Sequence, residues 1–175
     1  GKLYVKGIQS YYIQIADLYG MVGDYENMID TYLELIEYNS GYLQTVQNYL
    51  NRNFDFTEDN ENTRLLKQKL LQKVNKYPDE ILYSEMLIWM NLQQSNFTGA
   101  FVQVKSLDRR FKENGSRLIN FAGLASLNYE HELAISAYEI VIDKGDNFPF
   151  FETAKVNILK VRKFQLNANP LATKE

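Results

Sequence analysis

The stretch YYIQIADLYGMVGDYENMIDTYLELIEY, residues 11–38, carries the clearest structural signal in the chain. Its apolar residues recur at three- and four-residue spacing in two blocks, and Gly23-Asp24-Tyr25 separates them. The pattern reads as helix, tight turn, helix. Tyr12, Ile15, Ala16 and Tyr19 share one face of the first helix, and Met28, Ile29, Tyr32, Leu35 and Ile36 share one face of the second. Short amphipathic helices draw their stability from whatever covers the apolar face, so each pair needs a neighbour, and such pairs occur in stacked arrays.

The same unit recurs downstream. With Ala16 as the close-contact residue of its helix, the equivalents are Leu50, Ile88 and Ala122, at intervals of 34, 38 and 34 residues. For the second helix the series is Met28, Leu66, Ala100 and Ala134, at intervals of 38, 34 and 34. Both series contain one four-residue excess, in adjacent intervals, and an insertion in the turn of the second pair accounts for both. The polar segment Asp55 to Asn62 lies there and reads as the longest turn within any pair, exposed and metal-free. Asn39-Ser40-Gly41, Pro78-Asp79, Asn114-Gly115-Ser116 and Gly145-Asp146 supply stop and start signals between units.

A 34-residue period with two helices per unit resembles the tetratricopeptide repeat (TPR) family, whose pattern is W-x2-L-G-x2-Y, then A-x3-F, then P. By chemical class, the first unit supplies Tyr12, Ile15, Ala16, Tyr19, Met28 and Tyr32, and the fourth supplies Leu118, Phe121, Ala122, Ala134 and Tyr138. The third keeps Leu87, Phe97, Ala100 and Leu107, with Ile88 where the family has a small residue. The second keeps Leu50, Leu66 and Leu70 and closes on Tyr77-Pro78. The resemblance implies an all-α fold, an α-α superhelix (TPR-like solenoid) of about four helix-turn-helix units plus a C-terminal helix. The expected layout is a single domain over 1–175, with units at about 8–40, 41–78, 79–114 and 115–147. Pro149 suits the first turn of a capping or half-unit helix over 149–166, and 167–175 reads as a frayed tail. An array that ends on a half unit reads as part of a longer chain.

Composition narrows the function. The 175 residues are 45% hydrophobic and 23% charged, with 3 Pro and 9 Gly, enough to bury a core and too little punctuation for disorder. A net charge of -3 and a pI near 5.3 provide no basic stripe for nucleic acid. No apolar run approaches the roughly 20 residues that span a bilayer, so membrane insertion is not expected. The absence of cysteine removes disulfides, thiolate nucleophiles and zinc-thiolate sites, and sets no compartment.

Candidate chemistry is sparse. His131, the single histidine, reads as a partly buried turn residue, having no second histidine or cysteine with which to share a metal. Asp55, Thr57, Asp59 and Glu61 alternate like the start of a calcium loop, but Asn60 replaces its glycine and Leu66 its bidentate carboxylate. They read instead as an acidic turn leading into a helix cap. Asp108-Arg109-Arg110-Phe111-Lys112, the most basic stretch, could touch phosphate and reads more simply as a solvated helix face. No phosphate loop, nucleophile elbow or paired glutamate site occurs, so the expectation is a non-enzyme with no catalytic residue, cofactor or metal.

In TPR proteins the first helices line a concave groove. By resemblance, Ser10, Ile13, Asp17, Gln44, Gln47, Asn51 and Trp89 face that groove, with Asn120 and Asn157 nearer its margin. Amides both donate and accept, so such a lining suits the backbone of a neutral peptide. Trp89 would be an anchor or be buried between units. The expected function is a non-catalytic scaffold that binds a protein or peptide. The alternative is a structural spacer or oligomerisation segment of a larger protein, with enzyme and RNA binder ranked below both.

Overall fold

The computed structural model describes residues 2–168. These residues form nine α-helices: α1 (Lys2–Met21), α2 (Tyr25–Tyr38), α3 (Leu43–Asn53), α4 (Glu61–Lys76), α5 (Ile81–Gln93), α6 (Phe97–Phe111), α7 (Ser116–Leu127), α8 (His131–Ile142) and α9 (Phe151–Ala168). A 3-10 turn at Ser40–Tyr42 leads into α3, and no strand occurs among the described residues. The last helix runs two residues past its expected end at 166, so Asn167 and Ala168 are helical; the rest of the expected tail lies outside the described residues.

The chain forms two compact units, Gly1–Gln94 with α1 to α5 and Ser95–Glu175 with α6 to α9. Their boundary lies in the turn between α5 and α6.

Three short turns between consecutive helices share one backbone conformation. Residues 22–24, 94–96 and 128–130 are three-residue turns, whereas 54–60 has seven residues, the four-residue excess that the register intervals imply. The middle residue of each short turn is left-handed: Gly23 at φ 78°, Ser95 at 54° and Tyr129 at 64°. The next residue caps the following helix with nearly the same φ and ψ each time, -85° and 70° at Asp24, -85° and 69° at Asn96, -82° and 58° at Glu130. The Asp24 and Glu130 N–H groups donate five residues back, to Tyr19 and Ala125 at 2.9 Å each. A left-handed residue followed by this long backward bond satisfies orphan carbonyls at a helix end. Only the first turn uses glycine there, so the second and third carry a strained L residue.

In the first unit α1 packs on α2, α2 on α3 and α4, and both α3 and α4 on α5. Ala16, Met28, Leu50 and Leu66, the register residues of this unit apart from Ile88, are at most 1% exposed. Ile88, expected at a close contact, is half-buried, and the adjacent Leu87 is buried instead. Tyr12 and Tyr19 are half-buried rather than fully enclosed. Lys69 of α4 ties this helix to α2, donating to Asp30 at 2.8 Å and Glu26 at 3.1 Å, and Lys73 pairs with Glu37 at 2.6 Å.

In the second unit α7 packs on α6 and α8, and α8 on α9. Ala122 and Ala125 of α7 and Ala134 and Ala137 of α8 are completely buried, and side chains this small let helices approach closely. Phe121 stacks flat on Phe101 with ring centroids 5.2 Å apart. Ala154, Ile158 and Val161 bury one face of α9, as its helical spacing predicts.

Candidate functional site

The residues expected to line a groove divide between the units. In the first, Ser10, Gln44 and Asn51 are exposed and Ile13 is half-buried against the core. Gln44 donates to Asn48 at 3.2 Å, so Gln44, Asn48 and Asn51 make a stripe of exposed amides along α3. Asn48, four residues after Gln44, belongs to this stripe and escaped the sequence projection.

Three expected groove residues are engaged elsewhere. Gln47 is buried, 8% exposed, with its amide nitrogen 4.0 Å from the Met86 sulfur, so it packs α3 against α5 and is withdrawn from the exposed lining. Asp17 accepts the Tyr32 hydroxyl at 3.3 Å. Burial of Tyr32 and the nearby Asp17 carboxylate push that phenol well above its ordinary pKa, so the hydroxyl stays protonated and donating. Trp89 is half-buried, its ring edge-on to Phe56 at 5.2 Å, which makes it part of the interior packing.

Phe56 belongs to the segment expected to be a polar, exposed turn. The structure corrects that expectation: Phe54 and Phe56 are 5% and 6% exposed. Phe54 meets Tyr25 at 5.7 Å and Phe56 at 6.2 Å. The polar residues between and after them shape the loop. Asp55 accepts from the Thr57 N–H at 2.8 Å and hydroxyl at 2.6 Å, contacts that hold its carboxyl below the usual aspartate range. Asn60 and Thr63 cap α4 reciprocally, and the Asn60 amide donates to the Asp55 carbonyl at 2.8 Å. The acidic alternation is thus turn and cap chemistry, and no group of three metal-ligating side chains forms among the described residues.

In the second unit, Asn120 is exposed beside Glu113 and Arg117, and Asn157 is half-buried, accepting from Lys160 at 3.4 Å. His131 opens α8, half-buried between Tyr129 and Phe164 with centroids at 6.1 and 5.4 Å, and its Nδ1 is buried without a hydrogen-bond partner.

The basic stretch at the end of α6 is not uniformly solvated, as its helical position suggested. Asp108 is 2% exposed; it accepts the Gly115 N–H at 2.7 Å and pairs with Lys144 at 2.5 Å. Around this pair opens a cleft of about 820 Å³, lined by Val102, Lys105, Arg109, Lys112, Ile140, Lys144 and Phe148 among others. Sequence reading missed it because Lys144 and Phe148 lie more than 30 residues beyond Arg109 and only the fold joins them.

No family model matches this sequence, and neither the curated proteins nor the solved structures contain a significant match. No helix among the described residues is long and apolar enough to cross a membrane.

Proposed function

We propose that the chain is a non-catalytic scaffold of TPR-like helix pairs whose work is to hold a protein or peptide. The observation that carries this reading is the stripe of exposed amides, Gln44, Asn48 and Asn51, on α3. A helix whose opposite face buries Val46 and Leu50 has no packing use for that stripe, while amides suit an extended peptide backbone. The repeat assignment draws support from the matching turns at Gly23, Ser95 and Tyr129, which fall 72 and 34 residues apart. Those distances agree with the intervals of the buried register residues.

Affinity capture from the source cell tests the reading, using the wild-type chain, a Gln44→Ala/Asn51→Ala variant and raised salt. A neutral lining should retain its partner at moderate salt, and the double variant should lose it. A partner kept by the double variant would move the site off α3. The second reading, an oligomerisation segment or spacer, draws on Leu18, Met21 and Val22, which are 62%, 81% and 78% exposed together at the end of α1. Self-association that disappears in Met21→Ser/Val22→Ser would favour it.

A further inference from the structure

The cleft in the second unit holds positive charge that the protein itself leaves unmatched. Four cations line it, Lys105, Arg109, Lys112 and Lys144, against the single acid Asp108. Asp108 is already engaged by Lys144 and Gly115. Lys105 rests 4.4 Å over the Phe101 ring, a contact that leaves its charge in place. Arg109 and Lys112 are exposed, and neither has an ion pair among the described residues. Elsewhere Lys69, Lys73 and Arg117 have close carboxylate partners, so this concentration stands out in a chain of net charge -3.

The rest of the wall is apolar and open. Val102 is 53% exposed and Phe148 36%, with Ile140 beside them. A free phosphate would leave that apolar wall unused, and a single-stranded nucleic acid would look for a row of stacking aromatics where Phe148 is the one aromatic lining residue. A chain carrying both carboxylates and an apolar side chain complements both parts of the surface.

We propose that this cleft binds an acidic peptide segment of a partner protein, with its carboxylates on Arg109, Lys112 and Lys105 and an apolar side chain against Val102 and Phe148. The site lies on α6 and beside α8, separate from the amide stripe of α3, and it stands whether or not the repeat reading does.

The experiment is fluorescence anisotropy with a short fluorescein-labelled peptide in which Glu alternates with Leu. The controls are the same peptide with Gln for Glu, and an oligo-dT of equal charge. Wild-type protein should bind the Glu peptide, more weakly as salt rises, and Arg109→Glu/Lys112→Glu should weaken binding about tenfold or more. The Gln peptide and the oligonucleotide should bind no better than that variant permits. Lys155→Glu/Lys160→Glu on α9 should leave affinity unchanged. Both cleft substitutions are at exposed positions, so the melting temperature should hold. Absence of binding, equal binding by the cleft variant, equal binding of the Gln peptide, tighter binding of oligo-dT or an equal loss in the α9 variant would each overturn the proposal.

Discussion

The Asp108 carboxylate sits 2.5 Å from the Lys144 ammonium, joining the last turn of α6 to the chain just beyond α8. Its other oxygen accepts the N–H of Gly115, the residue that caps α7, so one buried side chain fastens three helix ends. Asp108→Ala would strand the lysine and the Gly115 N–H, at an expected cost of about 2–3 kcal/mol, below the value for a wholly buried pair because Lys144 still reaches solvent. Asp108→Asn keeps an acceptor for Gly115 and should cost less. Denaturant midpoints of both, with Lys144→Met to close a double-mutant cycle, measure the coupling.

Left-handed L residues at the short turns should be improvable. Ser95→Gly removes the steric cost of φ 54° and should raise stability by about 0.5–1 kcal/mol, read from the urea midpoint. Gly115→Ala should do the reverse, since Gly115 has φ 89° and an added Cβ would stand 3.1 Å from Val141. An unchanged midpoint in both variants would remove the argument from strain.

The alanine contact of α7 and α8 should resist enlargement. Ala134→Leu puts a larger side chain into a completely buried site and should cost about 1–3 kcal/mol by overpacking, whereas Ala→Ser at the same place should cost less. Thermal unfolding of the two variants distinguishes volume from polarity.

Lys69 gives a pH dependence of known sign. Burial alone would lower its ammonium pKa, but hydrogen bonds to Asp30 and Glu26 outweigh burial and raise it above the ordinary value of 10.5. A cation whose folded pKa exceeds its unfolded one adds stability in full below the unfolded value and loses it as pH rises through the folded value. The stability difference between wild type and Lys69→Gln should therefore stay flat from neutral pH upward and shrink above about 10.5. A difference that shrinks already near pH 8 would contradict the assignment.

The helices and the seven-residue connection between α3 and α4 were legible because burial imposes a three- and four-residue period that letters carry directly. Ala16, Leu50, Ala122 and Ala134 are enclosed where the register places them. What remained illegible depends on tertiary placement. Asp108 follows the buried Phe101 and Val104 at helical spacing, but its partner Lys144 lies 36 residues further on and only the fold brings the two together. Gln47 and Asn51 both look polar on a helical projection, yet α5 covers the first and leaves the second exposed. Of the candidate lining, the exposed amides of α3 were readable and the cationic cleft was not.

The seven residues between α3 and α4 bring their own ballast. Because Phe54 and Phe56 face inward while Asp55 and Asn60 fold the backbone around them, this connection delivers two rings to the space beside Tyr25 and Trp89. Trimming it to the three-residue form of its sister turns would therefore open a void under α5 rather than tidy the surface. The segment that reads as a surface turn is, in three dimensions, filler for the interior of the first unit.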